Sequence, residues 1–266
     1  MSYLYETHLH TAEVSKCAYS KAADYISAYK EMGYTGIIVT DHFYRGYCAL
    51  NRNLPWEVWV EQFCRGYENA KEEGYRQGLD VFFGWEESFD CFDDYLVYGL
   101  DKQWLLEHPE ARRWTRGEQY KAVREAGGCV VQAHPFRQRD YVPKLVLSAG
   151  CVDAVEVVNG GNEASFDLLA YRYAKKIGKP MLTGTDIHDA ESVIYEDAYG
   201  VYSEKKLKSI DDFVKMILNN SITGIKINNK FEDYDIDRAK LNIAGHPVEI
   251  RDAQDMVISN DWRKYV

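Results

Sequence analysis

No stretch of this 266-residue chain is apolar over the roughly 20 residues needed to cross a bilayer, so no transmembrane helix is expected. A basic stripe is also missing. The densest cationic run is Lys205, Lys206 and Lys208, it follows Glu204, and the net charge is −10. Phosphate neutralisation dominates generic nucleic-acid binding, so that class is excluded, short oligonucleotide ends apart. A small phosphorylated substrate stays open, because bound cations reverse local charge. The six cysteines form no C-x-x-C pair and are irregularly spaced, which predicts reduced thiols in a cytoplasmic protein. The segment Met1–Glu6 has neither a charged n-region nor an apolar h-region, so a signal peptide is not expected. There is no internal repeat, no low-complexity segment and no linker.

What the chain does have is 46% hydrophobic residues, enough for one barrel-sized α/β domain over 1–266. Short apolar runs predict strands at 3–7, 36–40, 81–84, 95–99, 129–133, 152–158, 180–183 and 224–227. Helical periodicity marks 20–33, 56–78, 115–127, 163–178 and 208–219, several of them closed by a glycine. Strands and helices alternate, which predicts parallel strands joined by right-handed crossovers. The core is expected over about 3–227. The tail 228–266, charged at Glu232, Asp233, Asp235, Asp237 and Arg238, is expected to pack on the barrel or run off as a surface excursion.

Histidines and carboxylates cluster where these strands end: His8-Leu9-His10, Asp41-His42, Ala133-His134-Pro135 and Asp186-Ile187-His188. Residues two apart on a strand share a face. His8 with His10, and Asp186 with His188, can therefore each bind one cation from one side, and imidazole with carboxylate suits Zn, Mn or Fe. In a closed β/α barrel that end holds the active site. The other two histidines, His108 and His246, stand beside proline and are assigned to loops.

Taken in order with Thr40-Asp41-His42 and Gly84-x-Glu86, these motifs resemble the polymerase and histidinol phosphatase (PHP) domain over residues 3 to about 227. The resemblance implies a distorted (β/α)7 barrel that hydrolyses phosphoesters at a centre of two or three divalent metal ions. His8, His10, Glu86 and Asp186 would hold the first metal. Glu86 would bridge to a second, held also by His134, and His42 with His188 would hold a third. Strand alternation sends Glu86 and Glu87 to opposite faces, and the family spacing selects Glu86. Glu87 is then expected in solvent or behind the barrel.

Two positions depart from the family pattern. Asp94 stands where a histidine is common and is taken as a ligand. Beyond the first motif come Ser15, Lys16 and Cys17 rather than Asp or His, and Glu13 is the nearest third-site candidate. Asp41 is expected to orient a ligand imidazole, or to cap a helix. Arg137 could pair with a substrate phosphate bidentately, as could Lys16 and Arg45, unless they are solvated surface cations. Asn159 could bind substrate or simply form a turn before Gly160-Gly161. His188 could protonate a leaving group if not committed to metal.

The expected activity is hydrolysis of a small phosphomonoester or nucleotide. Histidinol phosphate is one alternative, although Val14–Cys17 and Thr40–His42 differ from that branch. A catalytically silent metal-binding module is another. An amidohydrolase-like barrel is disfavoured, since no strand-end lysine competes with Glu86 as the bridge.

Overall fold

Fully buried strands need apolar residues on both faces, and the strands read from the sequence meet that requirement. All four residues of β2 (Gly36–Val39) and all six of β7 (Ala154–Asn159) are buried. The computed structural model describes residues 2–195, 199–227, 229–231, 241–243 and 245–266. Around β2 and β7 it arranges β1 (Tyr3–Glu6), β3 (Asp80–Ser88), β4 (Asp94–Tyr98), β5 (Cys129–Gln132), β8 (Met181–Gly184), β9 (Gly200–Ser203) and β10 (Gly224–Lys226) into one sheet. Its order is β10-β9-β1-β2-β3-β4-β5-β7-β8.

The sheet nearly closes. Beyond β1 and β8 the chain segments meet in a parallel bridge between Leu9 and Ile187, with Asp186 N–H donating to the His8 carbonyl and His10 N–H to that of Ile187. The hairpin of β9 and β10 fills the lower part of this seam, against β1 and β8. Seven strands wall the barrel, as expected, but β4 runs antiparallel to both β3 and β5. Parallel strands need a crossover of a dozen or more residues, and only residues 89–93 separate β3 from β4. That hairpin puts the first residue of β4, Asp94, at the same end of the barrel as the last residues of its parallel neighbours.

The helices cover the outside: α1 (Asp24–Glu31), α2 (Trp56–Phe63), α3 (Arg65–Gln77), α4 (Lys102–Glu107), α5 (Arg116–Glu125), α6 (Ala164–Ile177), α7 (Ser192–Tyr195) and α8 (Ile210–Leu218). Gly78 and Gly178 close α3 and α6 at φ +79° and +66°, and Thr115 with Glu118 forms a capping box at the start of α5. The expected helix 56–78 is divided at Cys64 into α2 and α3. A Cβ on Gly66 would stand 2.3 Å from Thr11 Oγ1 and 2.6 Å from Asp41 Oδ2, so glycine lets α3 pass close behind the site. The loop from Phe43 into α2 is anchored by a stack of Phe43, Trp56, Trp59, Phe63 and Trp85 in the core.

The end of the chain is not a bare surface excursion. Strand β11 (Val248–Arg251) pairs in parallel with β6 (Leu145–Leu147) and antiparallel with β12 (Val257–Ser259). Ile243, Val248, Ile250 and Trp262 join a core cluster with Phe136 and Tyr173. The charged positions Glu232, Asp233, Asp235, Asp237 and Arg238 lie outside the described residues. Among the described residues, no helix is long and apolar enough to cross a membrane.

Candidate metal centre

Five imidazoles and three carboxylates meet at the open end of the barrel. The segment after β1 supplies His8 and His10, that after β2 His42, and β3 itself Glu86. Asp94 opens β4, while His134 follows β5 and Asp186 and His188 follow β8. His134 and Asp186 sit at φ +27° and +55°. Non-glycine residues hold such angles only where the surrounding structure imposes them, typically at functional sites.

Glu86 is central, only 1% exposed. Its Oε1 lies 3.3 Å from His8 Nε2 and 3.2 Å from His134 Nε2, and its Oε2 lies 3.4 Å from His10 Nε2 and 2.8 Å from His42 Nδ1. Asp186 Oδ1 is 3.0 Å from His10 Nε2 and 3.5 Å from His8 Nε2. Four overlapping groups have ligand atoms within 4.8 Å of one another: His8, His10 and Glu86; His8, His134 and Asp186; Glu86, Asp94 and His134; and His10, His42 and His188. Glu86 Oε2 and His42 Nδ1 are buried, close together, and have no aligned hydrogen-bond partner. A buried carboxylate oxygen and ring nitrogen this close are costly unless a proton or a metal cation lies between them, and the donor set fits divalent metals.

The imidazoles are held from behind. His8 Nδ1 bonds Glu156 Oε1 at 2.9 Å, which turns Nε2 to the centre. Glu156 also accepts His134 N–H and Asn159 Nδ2. His188 Nδ1 donates to the Asp186 carbonyl at 2.7 Å. Asp41 accepts Thr11 N–H, Thr11 Oγ1 and Ser15 Oγ, and Ser15 Oγ in turn stands 3.2 Å from His10 Nδ1 and accepts His42 N–H. Asp41 therefore positions His10 through Ser15 and caps no helix. Glu6 lies under the pair, accepting the N–H groups of Thr7, His8 and Thr185 and the Tyr29 hydroxyl. A Cβ on Gly184 would come within 2.5 Å of His8 Cβ, so β8 can pack there only as glycine.

Several expected residues lie elsewhere. Glu13 is turned away, its carboxylate taken by Ala22 N–H and Asn69 Nδ2. Cys17, which carries no role read from the sequence, lines the cleft together with His42 and His188 and is half-buried. Lys16 is exposed, its ammonium 5.5 Å from the Tyr47 ring, and does not line the cleft. Asn159 is fully buried and does not line the cleft; its Oδ1 accepts Gly161 N–H, forming the turn, and Arg137 Nη2, while its Nδ2 donates to Glu156. Glu87 is fully buried rather than solvated, and binds Arg45. Arg45 does line the cleft, over the Phe89 ring at 4.2 Å, with Nη1 on the Trp114 carbonyl and Nη2 unpartnered. Arg137 lines it too, Nη2 2.7 Å from Asp186 Oδ2. His108 stacks on Trp104 far from the centre.

Glu156 and Glu6 escaped the sequence reading. Each is a single carboxylate inside a strand that is otherwise apolar, and a buried charge of that kind requires a partner.

The cleft above the centre measures about 690 Å³ and is bordered by Tyr47, Phe89, Phe92 and Tyr141 beside Arg45, Arg52 and Arg137. Phe92 and Tyr141 meet edge to face at 5.4 Å and are more than half exposed. Arg52 is tied to the Tyr44 and Gly46 carbonyls.

The electrostatics make metal-free stability pH-dependent. Burial works to lower the pKa of His8 and of His42, but Glu156, Asp186 and Glu86 hold His8 well above the imidazole range, and Glu86 does the same to His42. Burial pushes Glu6 and Glu87 up to about 7 and Asp41 to about 6, and lifts Asp94 well above its usual value, helped by the Glu86 charge. Each of these groups binds its proton more tightly folded than unfolded, so stability present at low pH is lost as pH rises through those values. Burial opposes the ionisation of Glu86 and Asp186 as well, but His8 with His42, and Arg137 with His8, hold them well below the carboxylate range. Their window therefore lies below about pH 4. Burial holds His10 down at about 3 and His134 below its usual value, which adds stability as pH rises towards about 6.5. With a chelator present, Tm is therefore expected to fall chiefly between about pH 6.5 and about pH 8, and added divalent ion to restore most at the upper end, where it displaces fewest protons. Thermal melts at several pH values check this, and a Tm that is flat or rises over the window contradicts it.

No family model and no curated protein matches the sequence. Solved structures do match. A two-domain protein from Bacteroides vulgatus containing a predicted PHP-like metal-dependent phosphoesterase aligns with TM-score 0.60 and 14% identity over 86% of this chain and 66% of that one. PsfC from Pseudomonas syringae aligns at 0.55 and 15%, over 86% and 93% of the two chains. The lesion-specific endonuclease PfuEndoQ from Pyrococcus furiosus aligns at 0.52 and 13%, over 85% and 58%. This chain thus spans just under two thirds of the Bacteroides protein and little more than half of the endonuclease. At such identities the likeness is one of fold, and the fold is the PHP-type barrel that the sequence motifs imply.

Proposed function

We propose that this chain is a metal-dependent phosphoesterase that hydrolyses a small phosphorylated substrate at a centre of two or three divalent cations. The observation that carries this reading is the Glu86 carboxylate, buried and met by four imidazoles, with Asp94 and Asp186 completing the donor set. His8, His10, Glu86 and Asp186 would hold one cation, and Glu86, Asp94 and His134 a second. His42 and His188 would hold a third. The PHP-like phosphoesterase in the Bacteroides protein supports the assignment by fold.

Bound cations would supply charge stabilisation for a phosphoryl group and a water acidic enough to attack it near neutral pH. The chain's own residues prepare that chemistry. Glu156 fixes the His8 tautomer, and Ser15 bonded to Asp41 fixes His10. Arg137, clamped by Asn159, Asn162 and Asp186, presents a positive edge to the cleft where a phosphoryl oxygen would lie. His188 stacks on His10 at 4.6 Å, its Nδ1 is held by the Asp186 carbonyl, and it groups with His10 and His42, which fits a ligand better than a free proton donor.

A cleft of about 690 Å³ with aromatic walls suits a nucleotide-sized or aryl phosphoester. DNA is the second reading, favoured by the fold shared with the endonuclease. A net charge of −10 and internally tied Arg45 and Arg52 count against it. The test is the purified protein, loaded in turn with Mn, Zn and Fe, on a panel of phosphomonoesters that includes histidinol phosphate, alongside oligonucleotides with and without an abasic site. Metal-dependent release of phosphate from small esters is expected. Cleavage confined to DNA would replace the small-substrate reading, and bound metal without turnover on any substrate would leave a silent module.

A further inference from the structure

We propose that Phe92 and Tyr141 form the leaving-group subsite of the cleft, and that the ester they select carries a flat aromatic ring, above all a nucleobase. The inference rests on the reading above that the cleft hydrolyses phosphoesters, and it deepens that reading by naming the substrate class and the residues that set it.

Phe92 stands where its own turn favours glycine. Strands β3 and β4 are joined by a tight hairpin, in which Phe89 N–H donates to the Asp93 carbonyl and Phe92 N–H to that of Phe89. Asp90, Cys91 and Phe92 are left as a three-residue loop. The last residue of such a loop is commonly left-handed, a conformation that glycine adopts without strain. Phe92 holds it at φ +57°. A bulky side chain in that region is an outlier, and such strain clusters at binding and catalytic sites. Burial does not explain the ring, because Phe92 is 54% exposed. Tyr141 presents a second open ring from another segment. It lies in the turn closed by Val142 N–H on the Arg139 carbonyl, in the loop that follows His134, and is 60% exposed. The two rings meet edge to face, their planes 76° apart and their centroids 5.4 Å apart. That arrangement leaves ring faces open to a further aromatic partner.

Position decides what the pair would bind. Both rings line the same cavity as Glu86, Asp94, His134 and Arg137. Phe92 is two residues from Asp94 in the chain, and Tyr141 seven from His134. An ester whose phosphoryl group lies at the proposed cations finds room for its leaving group in the same space of about 690 Å³. Open aromatic faces favour a flat ring over a sugar or an alkyl chain, since stacking a base on such a side chain tightens binding about tenfold or more. The phosphate needs nothing from these two rings, because Arg137 and the cations meet its charge.

Two esters that share a leaving alkoxide and differ at the base test this: adenosine 5′-monophosphate and ribose 5-phosphate, given to full-length protein loaded with whichever of Mn, Zn and Fe supports turnover. The wild type is expected to favour the nucleotide about tenfold in kcat/KM, through KM, and to be inhibited competitively by adenosine, which carries no phosphate. Phe92→Gly and Tyr141→Ala should each lose most of that preference together with the inhibition, and Tyr141→Phe should keep both. Phe92→Gly should melt at or above the wild-type Tm, because glycine relieves the φ +57° backbone; a ring kept for packing alone would give a lower Tm. Equal kcat/KM for the two esters in the wild type, or a preference that survives both substitutions, overturns the inference and leaves the phosphoesterase reading standing. Without metal-dependent phosphate release from any ester, that reading fails and the inference with it.

Discussion

Replacing Glu86 with glutamine is expected to remove bound metal and activity together. Glu86 lies within 3.4 Å of four imidazole nitrogens that belong to three separate ligand segments. An amide of the same shape keeps the packing but gives up the charge that lets one side chain serve two cations. Losing a metal forfeits several kcal/mol of transition-state stabilisation, and each ~1.4 kcal/mol is a factor of ten. Turnover should therefore drop at least about 10³-fold. The far-ultraviolet circular dichroism should stay native, and elemental analysis should find about one fewer metal per chain. Near-normal turnover with full metal content would show that Glu86 is not the bridge.

The largest loss of stability is expected at Arg116, which lies outside the proposed metal-ligand set. Arg116 opens α5 and is 5% exposed. Its Nε and Nη2 bond the two oxygens of Asp93 at 2.6 and 2.7 Å, its Nη1 reaches Asp255, and its guanidinium lies 4.7 Å from the Phe89 ring centroid. Asp93 precedes Asp94, proposed above as a ligand, so this one side chain joins the 89–93 turn to the chain's C-terminal segment. Arg116→Ala strands a buried carboxylate, which costs about 3–5 kcal/mol. For a chain of this size that corresponds to a Tm roughly 10 °C lower. Arg116→Lys should recover only part, because an ammonium cannot make the bidentate contact. Denaturant unfolding measures both, and a cost under about 1 kcal/mol for the alanine variant would mean that water reaches Asp93.

The ligand motifs were readable because each is local. His8-x-His10 and Asp186-x-His188 follow apolar runs, and strand periodicity alone puts each pair on one face. Asp94 was taken instead from its place in the family pattern, and the antiparallel course of its strand was not read, because the strand patterns at 81–84 and 95–99 leave ten residues between them, room that the extension of β3 to Ser88 uses up. Glu13 shows the limit. Linear spacing offered it to the centre, and only the turn closed on the Thr11 carbonyl sends Ser15 to His10 and Glu13 outward to Asn69. Lys16 and Asn159 fall to their alternative readings, an exposed cation and a turn, for a related reason. Their neighbours in space, Tyr47 and Arg137, come from other segments and engage them first.

By itself, the sequence determined the alternation of buried strands and amphipathic helices and the residue types carried at the strand ends. Both follow from side-chain periodicity within a few residues. Tertiary structure decided which of those side chains converge. The near closure of the barrel through Leu9 and Ile187 brings the first and last of the histidine-bearing segments together, and carboxylates buried at the end of β1 and inside β7, Glu6 and Glu156, aim the backbone and the imidazoles. Those contacts join residues up to 179 positions apart, so no local pattern could contain them.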